Sequence, residues 1–357
     1  MKLNPKSISI IQALLAAVFF GLSAPLAKLL LGNINPLILA GLLYIGSGLG
    51  TLLFRGIRRI FLPAQQREAG LARPDWKWLA GAVVLGGIAA PIVLLFSLHA
   101  TPATTASLLL NFEGVATTLL AFLFFKESIG PRVGWAVGLI LLASILLSWS
   151  PGSSWGFTFG ALGILAACVF WGFDNNFTRQ ISAKDPLQIV TIKGLVAGSI
   201  SLLLGFLTRN PLPNFHYIFL GLLLGAISYG LSIVLFVYAM RGLGAARTST
   251  LFGLAPFVGA GLSLLLFKET VSWLFVLSIP FMAAGAWLLV GERHDHFHRH
   301  AAIEHEHRHT HSDSHHDHPH PESLPNSKGS HSHLHAHPAL THSHPHTPDI
   351  HHRHSHP

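Results

Sequence analysis

From Ile8 to Val290 the chain is a succession of apolar runs, each close to 20 residues long, with short polar stretches between them. About 20 apolar residues cross the hydrocarbon core of a bilayer as a helix, which satisfies every backbone polar group within its own segment. Only 11% of the residues are charged, against roughly 25% in soluble domains. Water cannot solvate so many such runs, so the pattern predicts an all-α integral membrane protein. Ten transmembrane helices are expected near 8–31, 36–54, 76–97, 103–125, 131–149, 156–180, 187–207, 215–240, 244–267 and 271–290. Lys2 and Lys6 precede the first run, as in a signal peptide. That run is longer than a signal-peptide core and has no small-x-small cleavage site, so it reads as a retained helix.

The runs repeat. Phe125-Lys126-Glu127 and Phe267-Lys268-Glu269 each follow an apolar run and lie 142 residues apart. At the same spacing Ala103, Ser107, Leu109, Leu120 and Leu123 match Ala245, Ser249, Leu251, Leu262 and Leu265. Ala16-Ala17-Val18-Phe19-Phe20-Gly21 resembles Ala167-Cys168-Val169-Phe170-Trp171-Gly172, 151 residues later. One unit is therefore written twice, which divides the chain into 1–150, 151–290 and a tail, 291–357. A duplicated block of membrane helices is the signature of a secondary transporter.

Lys and Arg in the loops set orientation. With the N-terminus in the cytoplasm, fourteen of them (from Lys2 to Arg247) fall on the cytoplasmic side, and Lys28, Arg209 and Lys268 on the other. Ten spans return the C-terminus to the cytoplasm. The expected location is the cell membrane, a bacterial inner membrane. The net charge of +8 then reflects topology and attraction to anionic lipid rather than nucleic-acid binding. Five helices per unit is an odd number, so the second unit is expected upside down relative to the first. Inverted repeats supply the two-state geometry of alternating access.

These features resemble the EamA-type members of the drug/metabolite transporter superfamily. The resemblance rests on Phe20-Gly21, Trp171-Gly172, the Leu251 to Phe257 stretch with Pro256, and the two Phe-Lys-Glu helix ends, over about 8 to 290. It implies ten helices as two inverted five-helix repeats. It also implies transport of a small metabolite, amino acid or drug-like solute, commonly by export coupled to an ion gradient. The family does not fix the substrate. The chain departs from the family pattern where Gly114 replaces the usual proline of the fourth helix, opposite Pro256. Glu113 stands just before it, where the second unit has Ala255.

Ionisable residues inside a membrane are costly and usually functional. Glu113 falls near the middle of its run, with Asn111 before it and Gly114 after it, and glycine permits a local break. A carboxyl group in low dielectric can load and release a proton near neutrality, which suits proton coupling. A protonated Glu bonded to a neighbouring helix is the structural alternative. Asp174, beside Asn175, and Lys193 each lie roughly 9 Å inside the cytoplasmic end of consecutive antiparallel helices at 1.5 Å per residue. Equal depth makes them an expected ion pair, either structural or a gate or substrate anchor. Lys28 is expected to snorkel to the outer interface. His99 and His216 read as surface residues at helix ends. Trp76, Trp78, Trp155 and Trp273 read as interfacial aromatics, and Pro25, Pro91, Pro256 and Pro280 as kinks. Cys168, the single cysteine, reads as a buried packing residue.

The tail holds 23 of the 25 histidines with Asp, Glu, Ser and Pro, and too few large apolar residues to bury a core, so disorder is expected. His294, His296, His298, then His305, His307, His309, then His331, His333, His335 fall at every second position, one side of an extended chain. Such arrays bind nickel, cobalt, zinc or copper. No cofactor is required. Two other functions stay open: a divalent transition-metal exporter or metal-regulated carrier that uses the tail, and a membrane-anchored metal buffer. No nucleotide loop, nucleophile elbow or zinc-protease motif points to an enzyme. The favoured reading is a secondary transporter of small organic solutes, an exporter, with protons as a coupling ion.

Overall fold

The computed structural model of the protein describes residues 5–61, 69–125, 130–149, 158–182, 184–243, 248 and 251–290, and in the tail 294–300, 303–309, 331–337 and 340–346. Up to residue 290 the described elements are helical. They are α1 (Pro5–Gly21 continued by Ser23–Leu31), α2 (Pro36–Phe61), α3 (Trp76–Ala82, Val83–Ala89 and Ala90–His99) and α4 (Ala103–Leu109 and Phe112–Phe125). Next come α5 (Pro131–Ser148), α6 (Phe159–Gln180), α7 (Pro186–Leu207) and α8 (Phe215–Leu224, Gly225–Leu231 and Ser232–Leu243), then α9 (Ala255–Phe267) and α10 (Trp273–Val290). Among the described residues, seven helical stretches are long and apolar enough to cross a membrane: those of α1 to α5, α7 and α8. The stretches Ala255–Phe267 and Trp273–Leu288 are shorter and equally apolar. Large side chains such as Leu53, Leu123, Leu207 and Trp287 are exposed around the bundle, a surface suited to lipid and not to water.

The duplication is visible in the helices themselves. The middle of α3, Val83–Ala89, and the middle of α8, Gly225–Leu231, are both π-helical and lie 142 residues apart. The packing is paired in the same way. α1 packs on α8 and α9, as α6 packs on α3 and α4. α2 meets α8 as α7 meets α3, while α2–α7, α4–α9 and α5–α10 join like to like. The motif glycines do equivalent jobs. A Cβ on Gly21 would lie 2.4 Å from the Ala255 carbonyl of α9, and one on Gly172 would lie 2.9 Å from the Thr117 nitrogen of α4.

The α2–α7 seam is close-packed along its length. A Cβ on Gly194 would sit 2.7 Å from the Tyr44 carbonyl, and one on Gly198 would sit 2.6 Å from the Ile45 nitrogen. Small residues let helix backbones approach in a membrane, where dispersion replaces the hydrophobic effect as the driving force.

α4 is broken. Ala103–Leu109 ends in a turn at Leu110 and Asn111, and Phe112–Phe125 begins again after it. There the backbone tightens to i→i+3 bonds, Glu113 N to Leu110 O at 3.1 Å and Gly114 N to Asn111 O at 3.3 Å. The second unit breaks at the matching place, with a turn at Gly253 and Leu254 and a restart at Ala255-Pro256. Proline suits the first turn of a helix, where its missing N–H is not needed. Gly114 therefore does without a residue type that its counterpart uses, and the break forms all the same.

Trp76 and Trp273 are exposed at helix starts, as interfacial aromatics would be, whereas Trp78 packs between Phe125 and Phe177. Trp155, Lys126 and Glu127 lie outside the described residues. Cys168 is buried, with its Sγ 3.7 Å from the Leu109 carbonyl. In the tail, where composition predicts disorder, the described residues form four strands: β1 (His294–His300), β2 (Ile303–His309), β3 (His331–His337) and β4 (Leu340–His346). β1 pairs antiparallel with β4 and β2 with β3, so the period-two histidine pattern coincides with extended backbone. Two-stranded ribbons are marginal in isolation, which fits the low apolar content.

The seam gives the first prediction. Gly198→Leu should destabilise the bundle by about 1–3 kcal/mol or more through overpacking. Gly138→Leu, where nothing lies within 4 Å of a Cβ, should leave it unchanged. Detergent thermal-shift measurements on the two variants check this, and equal melting would contradict the seam.

Candidate functional site

A cavity of about 640 Å³ opens between the two halves. Phe20, Tyr44 and Glu113 line it from the first half, and Trp171, Lys193 and Tyr229 from the second. Its mouth is at Ser182, Lys184 and Pro186, where α6 turns into α7. Two ion pairs lie near this turn, Arg55 to Asp185 at 3.1 Å and Lys184 to Asp75 at 3.8 Å.

At the opposite end of the bundle Glu269 caps α4. Its carboxylate accepts from the Ala103 nitrogen at 2.7 Å, the Thr104 nitrogen at 3.0 Å and the Thr104 hydroxyl at 2.6 Å. A carboxylate on the free N–H groups that start a helix is a favourable cap. Lys268 makes it possible. It ends α9 in the left-handed region at φ 50° and turns the next residue onto α4. Beside it, the Lys28 ammonium donates to the Thr101 carbonyl. Lys28 was expected to snorkel to the outer interface. Its ammonium ties α1 to the α3–α4 turn.

The inner walls hang on one backbone atom. Within the π-helical stretch of α3 the Ala90 N–H donates to the Leu85 carbonyl. The Gly86 carbonyl therefore loses its α-helical donor. Its π-register donor would be Pro91, which has none. Two cavity side chains take the vacancy: the Tyr44 hydroxyl donates to Gly86 O at 2.7 Å and the Trp171 indole N–H at 3.0 Å. Gly86 also has no room for a Cβ, since the Asp174 carboxylate occupies that position at 2.0 Å.

The expected pair forms. The Lys193 ammonium donates to Asp174, which is buried and also accepts from the Thr178 hydroxyl at 3.1 Å. Glu113 sits half-buried at the α4 break, and its Oε1 accepts from Asn175 Nδ2 at 2.8 Å. The same amide donates to the Thr117 hydroxyl at 3.0 Å. Glu113, Asp174, Asn175 and Lys193 thus converge on the cavity. Asn111, Gly114 and Pro256 do not line it and instead shape the helix breaks. Asn111 donates its side-chain amide to Leu108 O at 3.2 Å, bracing the turn before Glu113. His216 stacks edge-on with Tyr217 at a helix start, away from the cavity. The rings of Tyr44, Tyr229 and Phe252 and the capping role of Glu269 were not read from sequence. Only the repeated aromatic-Gly pair at Phe20 and Trp171 signalled the aromatic walls.

The model of the EamA-like transporter family matches residues 7–149 and again 158–291. The chain belongs to the EamA-like transporter family. An uncharacterized transporter of Methanothermobacter thermautotrophicus is 30% identical over 294 residues, covering 78% of this chain and 85% of that protein. A solved crystal structure shares the fold at TM-score 0.56 and 18% identity, over 80% of this chain and 94% of the other. The protein is accordingly a membrane transporter and not an enzyme. As an EamA-family bundle it places the cavity between its two matched halves.

The buried pair gives the second prediction. Asp174→Asn or Lys193→Met alone should cost about 3–5 kcal/mol by leaving one charge unpaired, and the double variant should recover most of it. Melting temperatures in detergent check this, and additive losses would contradict the pairing. A third prediction concerns Pro91→Ala. The returned N–H competes for Gly86 O, so the fold should persist while Trp171 loses its anchor. The change should appear as altered tryptophan fluorescence.

Proposed function

We propose that the protein moves a small organic solute across the cell membrane by alternating access between two inverted five-helix halves. All ten helices span the bilayer in this reading, with both termini in the cytoplasm. The observation that carries it is the cavity between the halves, which reaches the α6–α7 turn, while Glu269 ties α9 to the start of α4 at the far end of the bundle. In the orientation set by the loop charges, the α6–α7 end faces the cytoplasm and takes up solute for export. Glu269 is the outer latch, and its release from Ala103 and Thr104 accompanies the turn to the outward state.

Glu113 carries the coupling proton. It lies at the helix break, reaches the cavity, and accepts from a neutral amide, with no ion-pair partner among the described residues. The titratable groups around it are Cys168 and Asp174 of α6, Lys193 of α7, Tyr44 of α2 and Tyr229 of α8. Solute and proton then use the same carboxylate in turn.

Metal as cargo is disfavoured, since no group of three His, Cys, Asp or Glu side chains gathers among the described residues. Metal binding belongs to the tail in this reading. The strand register sets His296 opposite His344 and His307 opposite His333, a backbone arrangement suited to shared nickel, cobalt, zinc or copper ions.

Two outcomes check these readings. In proteoliposomes under an imposed pH gradient, Glu113→Gln should abolish gradient-driven solute flux while the protein still inserts. Retained coupling would reject the proton role. A chain ending at Glu292 should lose nickel and zinc binding in calorimetry yet keep solute flux. Loss of flux on truncation would make the tail part of the pathway.

A further inference from the structure

We infer that the solute is an organic cation, an amine or quaternary ammonium group on an aromatic or apolar body. The inference rests on the reading of the cavity as the transport site. It follows from a charge count. Asp174 is neutralised by Lys193, and at the mouth Lys184 is matched by Asp75. Glu113 remains, held by the amide of Asn175 with no ion-pair partner among the described residues. With Glu113 ionised, the inner chamber carries one uncompensated negative charge. A carboxylate in low dielectric without a cation is costly, and a bound cation relieves that cost.

The walls suit the same ligand. Phe20 and Tyr229 have ring centroids 5.9 Å apart, Tyr44 and Tyr229 5.9 Å, and Phe20 and Phe252 5.3 Å. Trp171 adds an indole to the same chamber. The polar edges of Tyr44 and Trp171 are consumed by Gly86 O, so these rings offer carbon surface to a ligand. Aromatic faces attract ammonium groups, and the attraction strengthens when water is excluded. Beyond the rings the lining adds apolar Ile233 and Val237 and the hydroxyls of Ser47 and Thr178, and the volume of about 640 Å³ fits a small molecule. An anion would have to take Lys193 from Asp174 and would still face Glu113. A zwitterion would need the same disruption for its carboxylate.

The test uses four probes that share a benzyl group and differ in charge. They are benzyltrimethylammonium, its neutral isostere neopentylbenzene, phenylmethanesulfonate as the anion and phenylalanine as the zwitterion. Binding to the purified full-length protein in detergent is read by tryptophan quenching and calorimetry. The cation should bind at least tenfold more tightly than the other three. Glu113→Gln should abolish that preference, and Glu113→Asp, which keeps the charge, should retain part of it. Thermal shift confirms that both variants fold. Equal or tighter binding of the anion, zwitterion or neutral probe overturns the inference, as does cation binding indifferent to Glu113→Gln or absent altogether. Flux is measured separately in proteoliposomes. A cation that binds through Glu113 but is never moved would sink the transport reading and leave the cation site standing. Gradient-driven flux of another solute without cation binding would do the reverse.

Discussion

The Gly86 carbonyl is the atom on which the interior depends. A π-helical turn and a proline together strip it of every donor its own helix could offer. A buried carbonyl without a partner costs on the order of 1–3 kcal/mol. The bundle supplies two, from α2 and from α6, and so joins three helices at a point. The same residue lacks a Cβ, and Asp174 uses that space to reach Lys193 on α7. One residue therefore links α2, α3, α6 and α7 through hydrogen bonding, an absent side chain and an ion pair. The aromatic walls and the buried charges are positioned by the same few atoms.

The two halves share this architecture but are not equivalent. Both third helices of the repeat contain a π-helical stretch at the same spacing, yet α8 has Ile233 where α3 has Pro91, so only α3 frees a carbonyl. Both α4 and α9 are broken, but one restarts at Phe112-Glu113 and the other at Ala255-Pro256. The common elements provide the scaffold. The differences place a carboxylate on one side of the cavity and an apolar residue at the matching position. Duplication followed by divergence at a few positions gives a symmetric frame with an asymmetric site.

Much of this was legible in the sequence because the bilayer imposes simple rules. Apolar length marked the helices, and the two Phe-Lys-Glu ends exposed the repeat. Depth along consecutive helices was enough to pair Asp174 with Lys193, since antiparallel neighbours leave few partners for a buried charge. Glu113 was conspicuous because it was charged where its counterpart was alanine. The aromatic chamber was not legible. Tyr44 and Tyr229 are ordinary residues in apolar runs, and only tertiary packing brings them together. The Gly86 carbonyl was hidden for a different reason. A π-helical register depends on hydrogen bonds that no residue pattern here announced, although Pro91 hinted at disorder in the ladder. The Glu269 cap was half visible as a motif, while its target, the start of α4, was not.

The α2–α7 seam also bears on how the chain is made. α2 leaves the ribosome early, and the helix that fills its groove at Gly194 and Gly198 arrives some 150 residues later. Until then the α2 face meets lipid or the insertion machinery instead of its permanent neighbour. Asp174 likewise enters the membrane before Lys193. The first five helices are thus an unfinished surface during synthesis, and the quality-control systems that survey orphaned membrane segments would meet this protein first at that seam.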